Sequence, residues 1–446
     1  MKLLALGILI LLILIVLGAA GVYFYSQESA KVAVEDGYGP DPVLPAPNPK
    51  PIPTVNIARI AGWAEGATPE PAPGLHVNAL AGDLQHPRWL HVLPNGDVLV
   101  AESDAPAKEE SGKFSIREWV AQLLMRRAGA RSGSADRITL LRDADNDGVA
   151  EIRHTFLEGL NSPFGMTLSN GRLFIANTDA IVAVPYADGD LEASASPQHV
   201  SDLPGGPINH HWTKDVIASP DGKKLYATVG SNSNVGENGM AAEKNRANVL
   251  EIDLETGAQR VFASGLRNPN GLSWNPDNGA LWVAVNERDE IGSDLVPDYM
   301  TSVKDGGFYG WPYSYYGQTV DVRVKPQNPD LVARAIKPDY ALGAHTASLG
   351  LAFNKGMALG PDYANGAFVG QHGSWNRKPR SGYKVIYVPF ENGLPSGRPK
   401  DVLTGFVDEG SGKAFGRPVG VAIARDGALL VADDAGNKVW RVTARP

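Results

Sequence analysis

Five groups of polar residues in this sequence have types and spacing that could do chemistry. The first is Asn209-His210-His211-Trp212-Thr213-Lys214. A histidine titrates near neutral pH, so His211 or its neighbour His210 can serve as a general base. The second is Gly265-Leu266-Arg267-Asn268-Pro269-Asn270-Gly271. Arg267 can grip an anionic group with two N–H bonds, and Asn268 can hydrogen-bond a carbonyl. The third is Asn286-Glu287-Arg288-Asp289-Glu290, with Asp294 beyond it and Phe308-Tyr309-Gly310-Trp311-Pro312 further on. Carboxylates and backbone carbonyls in such a loop suit a hard cation such as calcium. The fourth places Asp143, Asp145 and Asp147 at alternate positions before Gly148, with Glu151 following. This is the start of a calcium loop, but the twelfth position is His154 rather than Glu, so it is not a complete EF-hand. The fifth is dispersed over Gly343-Ala344-His345-Thr346, His372-Gly373-Ser374-Trp375-Asn376-Arg377 and Phe415-Gly416-Arg417-Pro418. With Arg267 it adds up to an arginine set suited to a small polyanion. Each group also has a plain structural reading: a packed histidine, a turn with an ion pair, or a solvated acidic loop.

These groups sit beside a repeated strand pattern. An apolar run, an Asn-Gly or Asp-Gly turn and a second apolar run recur. The copies begin at Trp89 (WLHVLPNGDVLVAES), Pro163 (PFGMTLSNGRLFIAN), Asp215 (DVIASPDGKKLYATVG), Asn270 (NGLSWNPDNGALWVAVNE) and Pro418 (PVGVAIARDGALLVADD), with a looser copy between Leu349 and Phe390. Apolar alternation around such a turn is the signature of a half-buried hairpin. A third strand often follows, as in AIVAVPY from Ala180, NVLEIDL from Asn248 and NKVWRVT from Asn437. About six copies of a multi-stranded unit predict a six-bladed β-propeller, in preference to a β-sandwich with long insertions. In a propeller, loops from different blades converge on one end of a central channel, which would gather the five groups.

Composition excludes several functions. The chain has 446 residues and no cysteine, so it holds no disulfide, thiolate metal site or cysteine nucleophile. A formal net charge of −8 argues against a nucleic-acid binder. The 50 glycines and 33 prolines favour a turn-rich fold over a helical bundle. Residues 1–25 read as a membrane anchor or signal segment, because the uncharged run Leu3 to Tyr25 is long enough for a spanning helix. Residues 26–70 read as a linker, with Gly37 to Pro53 a Pro-rich spacer that would hold the body off the membrane. Residues 71–446 form the propeller. Ser115 to Arg127 departs from the strand pattern. Its apolar residues Ile116, Trp119, Val120, Leu123 and Leu124 fall at helical spacing behind a Ser115/Glu118 capping box, which predicts a helical insertion.

Taken together, GLRNPNGLSWNP, NERDEIGSDLVPDY, GGFYGWP and HGSWNR resemble the quinoprotein sugar dehydrogenases of the soluble glucose dehydrogenase type, sorbosone dehydrogenase branch, over roughly residues 75–445. The resemblance implies a six-bladed propeller that binds pyrroloquinoline quinone (PQQ) over the channel mouth with Ca2+. It implies oxidation of an aldose or aldehyde sugar, with electrons passing to a respiratory acceptor. It makes His211 the general base, with His210 as competitor. Arg267 and Asn268 become the pair on the quinone oxygens, Arg267 also sharing in catalysis. Thr346, Arg377 and Arg417 fall where the family binds the cofactor's carboxylates. Arg288-Asp289 stands where the glucose enzyme holds calcium on the carbonyls of a Gly-Pro pair. Ser231 stands where that enzyme has an Asp that orients the base. The implied location is outside the inner membrane, anchored by the N-terminal helix and facing the periplasm or cell exterior. Two other functions fit a propeller: a calcium-dependent lactonase without a quinone, and a ligand-binding propeller without catalysis.

Overall fold

The computed structural model describes residues 20–106 and 133–445, together with positions 10, 13, 14, 17 and 18. Six antiparallel four-stranded sheets follow one another along the chain. Blade one comprises Pro87–Val92, Val98–Glu102, Arg137–Arg142 and Ile152–Leu157; blade two Met166–Ser169, Arg172–Ala176, Ala180–Pro185 and Gln198–Asp202. Blade three comprises Val216–Ala218, Lys224–Val229, Asn248–Asp253 and Gln259–Ser264; blade four Asn268–Trp274, Leu281–Asn286, Pro297–Ser302 and Tyr340–Ala344. Blade five comprises Ser348–Lys355, Asn365–Gln371, Lys384–Glu391 and Lys400–Thr404. Blade six takes Pro418–Ile423, Leu429–Asp433 and Lys438–Ala444 from the C-terminal end, and its outer strand is Leu75–Ala81 from the N-terminal part.

The first strands of successive blades touch in a closed ring, with blade six returning to blade one. This is the six-bladed propeller that the repeats predict. The turns explain why the copies fold as hairpins. Asn170-Gly171, for instance, has positive φ at both residues (50° and 70°), the left-handed pair that a two-residue hairpin needs. Among the described residues six apolar clusters form, one at each blade-to-blade interface. Leu80, Leu90, Val98, Leu430 and Val439 close the last interface, between blades six and one. Ring closure and these clusters hold the fold together without a disulfide.

Glycines in the first strands set how closely blades approach the channel axis. A Cβ at Gly271 would lie 2.6 Å from the Leu349 carbonyl oxygen, one at Gly350 would lie 2.4 Å from that of Val419, and one at Gly420 would lie 2.8 Å from that of Arg88. Each neighbour is backbone, which cannot move aside alone. The strand register shifts at these positions, so the Pro-x-Gly and Ser-x-Gly segments are bulges that turn each first strand against the next. Gly350→Ala should therefore lower stability by about 1–3 kcal/mol through overpacking, read as a lower denaturation midpoint.

The expected Pro-rich spacer does not stand free of the propeller. Lys31 N donates to Asp294 Oδ2 (2.9 Å), Asn48 N to the Ile291 carbonyl (2.8 Å) and Asn56 N to the Trp375 carbonyl (2.7 Å). Tyr38–Gly39 adds a fifth strand to blade four, and Glu70–Pro71 a fifth to blade five. An extended, Pro-rich chain leaves its remaining N–H and carbonyl groups unpaired within itself, and blade loops satisfy them here. Most of the expected membrane helix at residues 1–25, and the expected helix at 115–127, lie outside the described residues. Among the described residues no helix is long and apolar enough to cross a membrane.

Candidate active site

Because neighbouring strands run antiparallel, the connections between blades and the links between second and third strands emerge at the same end of the channel. His211, Arg267, Arg288, Asp289, Thr346, Arg377 and Arg417 all lie on such segments, and Asn268 opens the first strand of blade four beside them. The Asp143–Asp147 turn joins the third and fourth strands of blade one and emerges at the opposite end. Asp143, Asp145, Asp147 and Glu151 can bring one carboxylate oxygen each within 4.8 Å of one another there. Any role for that cluster is therefore remote from the mouth.

His211 sits between blades two and three. Its Nδ1 lies 2.8 Å from the Ser231 carbonyl, which can only accept, so Nδ1 carries the proton and Nε2 keeps its lone pair. Ser231 Oγ adds a second contact at 3.1 Å. Backbone thus fixes the tautomer here, without a carboxylate on Nδ1. Burial, then His210, Arg267 and Arg246, hold the imidazole well below its ordinary pKa, so it is neutral at pH 7. The loop is clamped from beneath. Buried Lys214 donates to the carbonyls of His211 (3.1 Å) and Trp212 (3.0 Å), and Arg246 donates to the carbonyls of Gly230 (2.9 Å) and His211 (3.2 Å). Both cations are pushed down by burial, Arg246 to about 10. Carbonyl partners hold them where no carboxylate is hydrogen-bonded to them.

Asn268 meets the base across Gly230. A Cβ on Gly230 would come within 2.5 Å of both His211 Cβ and Asn268 Oδ1, so only glycine lets the two approach. Arg267, 4% exposed, donates to the Glu287 carbonyl (2.5 Å), to Asn234 Oδ1 (3.1 Å) and to Asp289 Oδ2 (3.0 Å). Asp289 also accepts from Asn376 Nδ2 (2.8 Å) and faces His345 Nδ1 at 3.3 Å. Burial pushes the Asp289 carboxyl up, but Arg267, His345 and Asn376 outweigh it and hold the group well below the usual range. His345 Nε2 donates to the Gly292 carbonyl (2.9 Å). Both its ring nitrogens face acceptors, and despite burial Asp289 raises its pKa.

The other expected cofactor residues separate. Thr346 is fully buried and binds Asp298 Oδ2 (3.1 Å) and Ser348 Oγ (2.9 Å), so its hydroxyl serves the scaffold. Arg377 holds the carbonyls of Pro379 and Val32, both at 2.9 Å, and so grips the N-terminal segment. Arg417 pairs with buried Asp434 (3.2 Å), which also receives Arg88 (2.5 Å) and His372 Nε2 (2.9 Å). The Arg88 guanidinium lies 5.6 Å from the Trp212 ring centroid, which links this second cluster to the loop of the base.

The expected metal position in blade four holds a cationic side chain of its own. Arg288 is itself a cation, 1% exposed, 3.0 Å from Asp321 Oδ2. Its neighbour Asp289 is committed to Arg267, His345 and Asn376. The carbonyls of Glu287, Asp289, Ile291 and Gly292 all accept protein hydrogen bonds. Calcium takes about six to eight oxygen ligands, and four carbonyls of this loop are already engaged. An anionic, polar cofactor fits better. Among the described residues the buried Nε of Arg88, Arg267 and Arg377 and Oδ1 of Asn268 have no partner. Of these residues, Arg88 was missed by the motifs, as were Arg246 and Asp434. The visible signal was only an Arg or Asp within or beside a blade strand.

Fold and site together are those of a β-propeller with a buried, arginine-rich mouth. Residues 73–374 match the family described as Domain of unknown function (DUF7133), and residues 321–445 match one described as TrAA12-like. The chain belongs to the DUF7133 family. A PQQ-dependent pyranose dehydrogenase of Coprinopsis cinerea is 26% identical over 294 residues, which are 52% of this chain and 39% of that one. The chain thus spans well under two thirds of that relative. An uncharacterised protein of Borreliella burgdorferi is 28% identical over 299 residues, 65% of this chain and 77% of that one. The holo PQQ domain of the Coprinopsis cinerea pyranose dehydrogenase superposes with a TM-score of 0.67 at 21% identity, covering 87% of this chain and all of that one, a likeness of fold.

Proposed function

We propose that this chain oxidises an aldose or an aldehyde sugar with PQQ, using His211 as general base. One observation carries the reading: a neutral imidazole, its Nδ1 locked on a carbonyl and its Nε2 lone pair free, stands beside buried Arg267 and Asn268 groups that lack partners. His211 Nε2 takes the proton of the substrate's hydroxyl or of an aldehyde hydrate. The Ser231 carbonyl holds the imidazolium that forms, while Arg267 and Arg246 oppose its charge and favour its return to the neutral base. PQQ, when bound, supplies the two-electron sink that accepts the carbon-bound hydrogen as hydride. Arg267 and Asn268 would hold its quinone oxygens, and Arg377, Arg417 and Arg88 its carboxylates. The apolar run Leu3 to Tyr25 supports export, an inner-membrane anchor and delivery of electrons to a respiratory acceptor outside that membrane. If the chain also takes calcium, the Asp143–Asp147 turn has the donors, and its place at the far end gives the ion a structural task.

The test is dye reduction by purified protein over a panel of aldoses and aldehyde sugars, with and without added PQQ. Turnover should require PQQ. Lactone hydrolysis without PQQ would replace this reading with a lactonase, and failure to bind PQQ would leave a ligand-binding propeller.

A further inference from the structure

We propose that the blade-four side of the cofactor site works without calcium, its positive charge supplied by Arg267 and Arg288. The inference rests on the PQQ reading above, and it concerns how this chain carries the charge. The guanidinium of Arg288 is 1% exposed, and neither Nε nor either Nη atom makes a hydrogen bond of good geometry. Its ion pair is Nε to Asp321 Oδ2 at 3.0 Å. Arg267 lies within electrostatic reach of it, 4% exposed and paired with Asp289. Two buried guanidiniums and the His345 ring, with acceptors at both nitrogens, therefore stand among the carboxyl groups of Asp289, Asp321 and Glu287.

A divalent cation would have to compete with two guanidiniums for the same carboxylates, at an effective dielectric far below that of water. It would also have to break existing bonds. The Glu287 carbonyl holds Arg267, the Asp289 carbonyl holds Asn234, and the Asp289 carboxylate is shared among Arg267, Asn376 and His345. Among the described buried side-chain acceptors of this loop, Glu287 Oε1 has no partner, and one carboxylate oxygen is far short of a calcium shell. A guanidinium supplies charge that does not titrate and N–H groups in a fixed plane, suited to the carboxylates and oxygens of a flat anion. Arg288 is a positioning residue in this account: it acts through the field and through Arg267.

The test uses the full chain carrying Asp143→Asn, Asp145→Asn and Asp147→Asn, which removes the remote carboxylate cluster. Calorimetric titration with Ca2+, without and with PQQ, should show no binding. Stoichiometric uptake in either titration would overturn the inference, and the titration without PQQ reads out even if the chain does not bind PQQ. PQQ binding, followed by quenching of tryptophan fluorescence, should have the same affinity in chelator and in excess Ca2+. Affinity that depends on Ca2+ overturns the inference, whereas no PQQ binding under either condition overturns the functional reading beneath it. Arg288→Gln, checked for folding by circular dichroism, should bind PQQ about tenfold or more weakly, with no rescue by Ca2+. Unchanged affinity, or rescue by Ca2+, counts against the role of Arg288. If Arg288→Gln does not fold, the calcium titrations still decide.

Discussion

Replacing His211 with alanine should lower kcat by about a hundredfold to ten-thousandfold, the range for losing a positioned general base. Affinity for PQQ should stay nearly unchanged, because the base faces the substrate's proton. His211→Gln keeps much of the volume at the contact with Gly230 but has no basic nitrogen, so it should be as slow as His211→Ala. Recovery of activity in the glutamine variant would mean that packing, rather than proton transfer, was lost. The pH profile gives an independent check. Burial, His210, Arg267 and Arg246 depress the imidazole, so its base form persists below the ordinary histidine pKa. The acidic limb of kcat/KM should therefore fall well below pH 6.5, and a limb at or above that value would contradict the site as described.

Asp434→Ala should cost about 3–5 kcal/mol of stability, the largest effect expected of any single substitution away from the ring of glycines. The carboxylate is buried and is shared by Arg88, Arg417 and His372. Removing it leaves two guanidiniums together with no counter-ion at the junction of blades five, six and one. Chemical denaturation reads the loss, and Asp434→Asn should be intermediate, because it keeps the shape and loses the charge. Burial pushes the Asp434 carboxyl up, but Arg417, His372 and Arg88 hold it well below its ordinary value. Its stabilisation is therefore complete above the ordinary carboxylate pKa, about 3.9, and is lost as pH falls through the depressed folded value. His372 acts in the same direction: burial holds it at about 4, so its neutral form favours folding until pH drops from about 6.5 toward that value. The wild type should lose stability steeply in acid, and Asp434→Ala should show a shallower dependence from a lower starting point.

The hairpins were legible because their turns are written locally. Asn170-Gly171 announces a left-handed pair, and strands of alternating apolar residues flank it on either side. The closure of blade six was not legible. Leu75–Ala81 pairs with Lys438–Ala444 across almost the whole chain, and no nearby residue marks the partnership. The same contrast holds in the site. His211 stood out by type, in a His-His-Trp loop. Its orienting partner did not, since the Ser231 carbonyl is backbone and every residue has one. Arg288 and Asp289 were assigned to calcium from their place in the family pattern. That pattern does not report that the Arg288 guanidinium is buried there or that the adjacent carboxylate is already paired. The Pro-rich segment read as a spacer from composition alone, and composition does not report that Asp294, Ile291 and Trp375 offer acceptors to its N–H groups.

The central claim is tested most directly by loading the purified chain with PQQ, adding an aldose or aldehyde sugar without oxygen, and following the quinone's absorbance through one turnover. The account predicts conversion to the reduced-quinone spectrum at a rate that collapses in His211→Ala, with PQQ retained in both proteins. A chain that binds no PQQ, or a His211→Ala variant that reduces it as fast as the wild type, would contradict the account.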